Sequence, residues 1–260
     1  MDREVRSKTP GTCPRCGMKL VAGLPMPVEY RVDFRAHPPS IPVGRPITLE
    51  FRVLDPNSGR PIARFETIHE KLFHLFLVSH DLDYFSHEHP ALGADGWFRL
   101  KTSLPKPGTY RLLADFDPSG GTPQLVARTF STAGWAAPLA QSIAHPPQDI
   151  APKRGENLEV SLALDPAHPI AGRKTMLFFR ISPADGLEPF LGAWAHLLAV
   201  SSDLIDTVHS HPFLADGGAD MQFNLFFARP GIYRLWLQLQ RRGVVNTVSF
   251  TLIVNDLVSG

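Results

Sequence analysis

Six histidines recur in this chain as two sets of three with the same internal spacing. His74 and His87 stand thirteen positions apart, and so do His196 and His209. Each set closes with His-x-His-Pro, at His87-Glu88-His89-Pro90 and at His209-Ser210-His211-Pro212. Imidazole is the commonest protein ligand for transition metals. His74 and His196 each interrupt an apolar run, Leu72 to Val78 and Trp194 to Val200. A polar ring there must find a partner, because an unsatisfied buried donor costs roughly 1–3 kcal/mol. His87 and His89, two apart on an extended segment, project to one side. With a third ring from a neighbouring strand they offer three nitrogens, a donor set that suits copper or zinc with water completing the shell. The expected metal sites are therefore His74, His87 and His89, and His196, His209 and His211. Neither region contains a cysteine, which excludes a blue-copper His-His-Cys site. Coordination by neutral imidazole should weaken as pH falls through about 6.5. The competing reading makes the histidines loop braces, each ring bonded to backbone and its nitrogens too far from the others to share an ion. His37, His69, His80, His145 and His168 read as surface or turn residues.

The elements that must position these rings also come in two copies. Val28 to Phe34, alternating like a half-buried strand, is followed by Ala36-His37-Pro38, Gly44-Arg45-Pro46 and a strand from Ile47 to Val53. Leu158 to Leu164, Ala167-His168-Pro169, Gly172-Arg173 and Met176 to Ile181 repeat that order. Pro107-Gly108-Thr109-Tyr110-Arg111-Leu112 matches Pro230-Gly231-Ile232-Tyr233-Arg234-Leu235. The first copy is longer ahead of its first motif histidine; His69 lies in that longer segment with no partner in the second copy, and Ser202 stands where the first copy has His80. Short apolar or alternating segments broken by Asp-Pro, Pro-Gly, Asp-Gly and Gly-Gly, with no sustained helical period, predict an all-β chain of two tandem sandwiches. The Pro-Gly-x-Tyr element resembles the corner tyrosine of immunoglobulin-like domains. The expected layout is an N-terminal segment 1–26, a first sandwich 27–133, a linker 134–156 and a second sandwich 157–260.

Composition narrows the partners. A net charge of +1, from 26 basic and 25 acidic residues, gives no basic surface for nucleic acid. No apolar run approaches the roughly 18 residues of a membrane span. No phosphate-binding glycine loop, Ser/His/Asp signature or metalloprotease helix motif occurs.

Cys13 and Cys16 are the two cysteines of the chain, in Cys13-Pro14-Arg15-Cys16-Gly17-Met18. A Cys-x-x-Cys pair is a metal knuckle, a redox pair or a chance neighbour pair, and a knuckle normally needs two more ligands. The stretch Glu4 to Leu20, with Pro10-Gly11-Thr12-Cys13-Pro14-Arg15-Cys16-Gly17-Met18-Lys19-Leu20, resembles the short heavy-metal-binding domain found on copper efflux proteins and P-type metal ATPases. That family opens with Cys-Pro-Met-His-Pro, where this chain has Met1-Asp2-Arg3. The likeness implies a start truncated at the family's internal methionine, with one cysteine and any signal peptide lost. The rest of the chain is similar to the secreted immunoglobulin- or cupredoxin-like modules that accompany this domain in bacterial metal-related proteins, a likeness carried by His69 to Leu82 and Phe85 to Pro90.

Together these features predict a periplasmic or secreted protein that binds copper, with zinc as the alternative, for metal tolerance or delivery and without turnover. Its expected partners are the metal ion and another metal-handling protein. The alternatives are a non-catalytic protein-interaction module and a copper-dependent redox enzyme with an open three-histidine site.

Overall fold

The computed structural model describes Ser7, Thr9, Gly11, Thr12, residues 28–138 and residues 143–257. Cys13 and Cys16 lie outside the described residues. Each repeat forms a sandwich of two antiparallel sheets. In the first, β1 (Arg31–His37), β2 (Ile47–Leu54), β5 (Ala91–Leu92) and β6 (Phe98–Thr102) make an outer sheet in the order β1-β2-β6-β5. Its inner sheet runs β4-β3-β7-β8, from β3 (His74–Ser79), β4 (Phe85–Glu88), β7 (Thr109–Phe116) and β8 (Gln124–Ser131). The second sandwich repeats this plan. Its outer sheet joins β9 (Lys153–Arg154), β10 (Glu159–Asp165), β11 (Lys174–Ser182) and β15 (Asp220–Phe226). Its inner sheet joins β12 (Leu187–Glu188), β13 (His196–Ser201), β14 (Thr207–Ser210), β16 (Gly231–Arg241) and β17 (Val244–Val254). Strand positions follow the expected ones with shifts of a few residues: β1 begins at Arg31 rather than Val28, and β3 at His74 rather than Leu72. Lys153–Arg154 pairs with β10, so the sheet of the second module begins inside the stretch read as linker. Among the described residues no helix is long and apolar enough to cross a membrane.

The apolar runs of β3 and β13 have a specific cause. Both strands are buried at every position. Alternate residues of a strand point to opposite faces. Leu75 and Leu77 enter the first module's own core, and Leu197 and Ala199 enter the second's. The residues between them face the other module. Phe76, Val78, Leu82 and Leu113 pack against Leu198, Val200, Leu204 and Trp236 in a third apolar cluster. The inner sheets thus dock face to face, and fully burying each of these larger side chains is worth roughly 1.5–3 kcal/mol. His74 and His196 share the parity of Phe76 and Leu198. They therefore point into the seam between the modules, not into either core.

The rest of the repeated motif is turn chemistry. Ser79 Oγ donates to Asp81 Oδ1 at 2.5 Å and accepts from Tyr84 N–H at 2.9 Å. Ser201 does the same with Asp203 at 2.5 Å and Asp206 N–H at 2.9 Å. Leu82 (φ 62°) and Leu204 (φ 55°) take the left-handed conformation that a branched side chain normally avoids. Both are buried in the seam cluster, which holds them there. These turns fix the distance along the chain from the first histidine of each set to the second.

Each corner tyrosine performs its expected task. Tyr110 Oη donates to Lys106 O at 2.7 Å, and Tyr233 Oη sits 3.0 Å from Arg229 O and 2.9 Å from Asp206 Oδ2. Both rings are fully buried. Tyr110→Phe should lower stability by about 1 kcal/mol, the net value of one such bond. Tyr233→Phe should cost more, because the hydroxyl also bonds the Asp206 carboxylate, which would keep only Arg229 on that oxygen; urea midpoints of the two variants check the order.

Candidate metal centre

Three elements bring each set of histidines together. His74 opens β3, His87 lies on β4 beside Phe76, and His89 follows one residue past the end of β4. His196 opens β13, His209 lies on β14 beside Leu198, and His211 follows one residue past the end of β14. One ring nitrogen from each of His74, His87 and His89 lies within 4.8 Å of the other two. The same holds for His196, His209 and His211.

The partners of the opposite ring nitrogens decide where the lone pairs point. Backbone carbonyls and carboxylates only accept, so a ring nitrogen facing one carries the proton. His74 Nε2–H donates to Ile68 O at 2.9 Å, and His196 Nε2–H donates to Phe190 O at 2.8 Å. His209 Nδ1–H donates to Asp115 Oδ2 at 2.7 Å. His87 Nδ1–H donates to Gln238 Oε1 at 2.9 Å, while the amide nitrogen of Gln238 is taken up by Thr247 Oγ1 at 3.0 Å. The unprotonated nitrogens are then His74 Nδ1, His87 Nε2, His196 Nδ1 and His209 Nε2. His74 Nδ1 and His87 Nε2 face each other at 3.1 Å, a contact of two acceptors that a cation between them would relieve. In the second set His211 Nε2–H donates to His196 Nδ1 at 2.9 Å, a proton that a bound cation would displace. His89 Nε2 and His209 Nε2 are buried without a hydrogen-bond partner among the described residues. Orphaned, convergent imidazole nitrogens with their far sides hydrogen-bonded are what a transition metal requires of its ligands.

Burial favours the neutral form, which ligation demands, in five of the six rings. Burial first, then the His89 charge, pushes His87 down to about 2. Burial first, then the neighbouring His209, pushes His211 to about 2. Burial also takes His196 to about 3 and His89 to about 4, and lowers His74. Phe76 forms the floor between the sets, stacked on His87 at 4.3 Å and edge-on to His209 at 4.8 Å. A cavity lined by Ile68, Leu72, His74, Asp115, Phe116 and Asp117 lies beside the first triad.

The two sets lie side by side across the seam. His87 stands 5.7 Å from His196 and 6.1 Å from His209, and His74 stands 6.0 Å from His209, ring centre to ring centre. His69 joins them: it sits in a turn, as read, but its ring reaches the seam. Its ring stacks on His211 at 3.7 Å and meets His196 edge-on at 5.5 Å. It sits five positions before His74, where the second module has Leu191; both residues have positive φ, 46° and 51°. His80, read as a surface or turn residue, lies in the motif's turn but is buried there, at 4% exposure. His37, His145 and His168 are exposed as expected. Asp115 and Gln238 escaped sequence reading although a signal existed. Each is a polar residue inside an apolar strand, five positions after its corner tyrosine.

Residues 28–134 and 153–256 each match the model of one family, described as a domain of unknown function (DUF8832). The chain belongs to that family, in two copies. Residues 1–22 match the heavy metal binding domain, in agreement with the resemblance of the Cys13–Cys16 segment. No curated protein matches the chain. Among solved structures it is similar to FdeC, an Escherichia coli adhesin, at 16% identity and a TM-score of 0.28, over 92% of this chain and 68% of that one. It is also similar to a two-domain fibronectin type III segment of chicken tenascin, at 13% identity and a TM-score of 0.26, over 87% of this chain and all of that one. Likeness at this level says nothing of ligand or partner.

Proposed function

We propose that this member of the family binds transition-metal ions, copper foremost and zinc as the alternative, at its two three-histidine sites. The reading places it outside the cytoplasm, periplasmic or secreted, holding metal for tolerance or for transfer to another metal-handling protein, without turnover. One observation carries it: in each triad one ring nitrogen per histidine lies within 4.8 Å of the other two, and His89 Nε2 and His209 Nε2 are buried with no hydrogen-bond partner among the described residues. The heavy metal binding domain at residues 1–22 supports the same chemistry. The bracing alternative accounts for only half of the rings' bonds. Ile68 O and Phe190 O each take one nitrogen of a ring, while the opposite nitrogens converge. The corner tyrosines favour an immunoglobulin-like over a cupredoxin-like description of the modules.

The test is calorimetric titration of the full chain with cupric and zinc ions, in a Cys13→Ser/Cys16→Ser background that isolates the histidines. His87→Ala/His89→Ala and His209→Ala/His211→Ala should each remove one bound equivalent. Unchanged stoichiometry in both double variants would overturn the proposal.

A further inference from the structure

We propose that the two triads form one binuclear centre built across the seam between the modules, and that its two positions differ in affinity, with the His196, His209 and His211 position filling first. This rests on the metal-binding reading and extends it.

The centre is assembled by exchange. β3 and β7 place Asp115 beside His74 in register, and β13 and β16 place Gln238 beside His196. Neither residue bonds the ring next to it on its own sheet. Asp115 crosses the seam to take His209 Nδ1–H, and Gln238 crosses the other way to take His87 Nδ1–H. Each triad is therefore oriented by the opposite module. Rings of opposite triads approach to 5.7–6.1 Å with Phe76 between them. Two ions bound there would be near neighbours.

The exchange is unequal. A carboxylate behind a ligating imidazole fixes its tautomer, orients the ring and raises its basicity; an amide oxygen fixes and orients but brings no charge. The second triad has the carboxylate. Its His211 ring is also packed by a further imidazole, His69 of the first module, at 3.7 Å, whereas His69 stands 6.4 Å from His74 of the first triad. Removing an orienting partner of this kind typically costs 10–100-fold in metal affinity. Once the first ion is in place its charge lies beside the second triad to fill, which spreads the two steps further apart.

Cupric ion alone is the probe, added to the full chain in the Cys13→Ser/Cys16→Ser background and followed by calorimetry and electron paramagnetic resonance. One equivalent should give an isolated cupric spectrum. Two should give a spin-coupled spectrum with a half-field transition. Asp115→Asn, close to isosteric, should weaken the first step 10–100-fold and leave the second nearly unchanged, and Gln238→Glu should tighten the second step. Circular dichroism checks that both variants fold. Two equivalents whose spectra add as isolated ions would overturn the binuclear centre while leaving metal binding intact. So would binding of a single equivalent. Equal effects of Asp115→Asn on both steps, or none on either, would overturn the order of filling. A wild-type chain that takes up no cupric ion would remove the metal-binding reading itself and this proposal with it.

Discussion

Metal-free protein is expected to lose stability steeply as pH falls from 7 to 5. The sign follows from the rings. His87, His89, His196 and His211 have folded-state values of about 2, 4, 3 and 2, with burial as the first cause in each. In the unfolded chain the same rings take up protons near pH 6.5. Below that point the unfolded state binds protons that the native state refuses, so stability falls with pH until the folded-state values are reached. At pH 5 a ring held neutral contributes a loss of at most about 2 kcal/mol; His89 and His211 are partly solvated and the shifts rest in part on one another's charge, so the four together come to several kcal/mol rather than the full sum. That is comparable to the whole stability of an ordinary domain. The transition need not be global, since the rings line the seam and opening it hydrates them while leaving both cores closed. Urea midpoints measured between pH 7.5 and 5, with chelator present, should fall throughout this window. A midpoint that stays constant to pH 5 would mean that water already reaches these rings in the native state. The replacement His87→Phe, apolar and similar in shape, should flatten part of the slope.

Much of this arrangement is legible in the sequence because the chain says it twice. The thirteen-residue spacing, the His-x-His-Pro endings and the paired Pro-Gly-x-Tyr elements define two similar sandwiches and two triads. What stayed hidden is the relation between the copies. A single strand pattern shows that Phe76 and Val78 are buried, but not whether a partner sheet of the same module or of the other one buries them. The continuous apolar run of β3 fits a strand covered on both faces, and the second cover is the other module. Once the inner sheets dock, parity alone carries His74, His87, His196 and His209 into a common seam, and the supposed separation of the triads disappears. His69 was lost for a related reason. Repetition picks out what the two modules share, and His69 is a feature in which they differ. Asp115 and Gln238 were lost because they differ from each other, although their offsets from Tyr110 and Tyr233 agree.

If docking builds the centre, weakening the docking should weaken the metal. Trp236 is the largest side chain of the seam cluster, 4% exposed and stacked on Phe85 of the first module at 5.0 Å and 10°. Trp236→Ala leaves a cavity between the sheets and should cost about 3–5 kcal/mol. The neighbouring Leu237 points the other way, into the core of the second module, and Leu237→Ala should cost about 2–5 kcal/mol. The two losses overlap in size but differ in kind. Leu237→Ala destabilises one sandwich and leaves the hydrogen bonds across the seam in place. Trp236→Ala removes what presses β16 against the first module, and Gln238, two residues on in that strand, holds His87 from there. The Trp236 variant should therefore unfold in two separated steps and bind cupric ion more weakly, and the Leu237 variant should do neither under conditions where it remains folded. A single cooperative transition in Trp236→Ala, with wild-type copper affinity, would mean that each sandwich holds its own histidines in place and that the bonds across the seam merely accompany the fold.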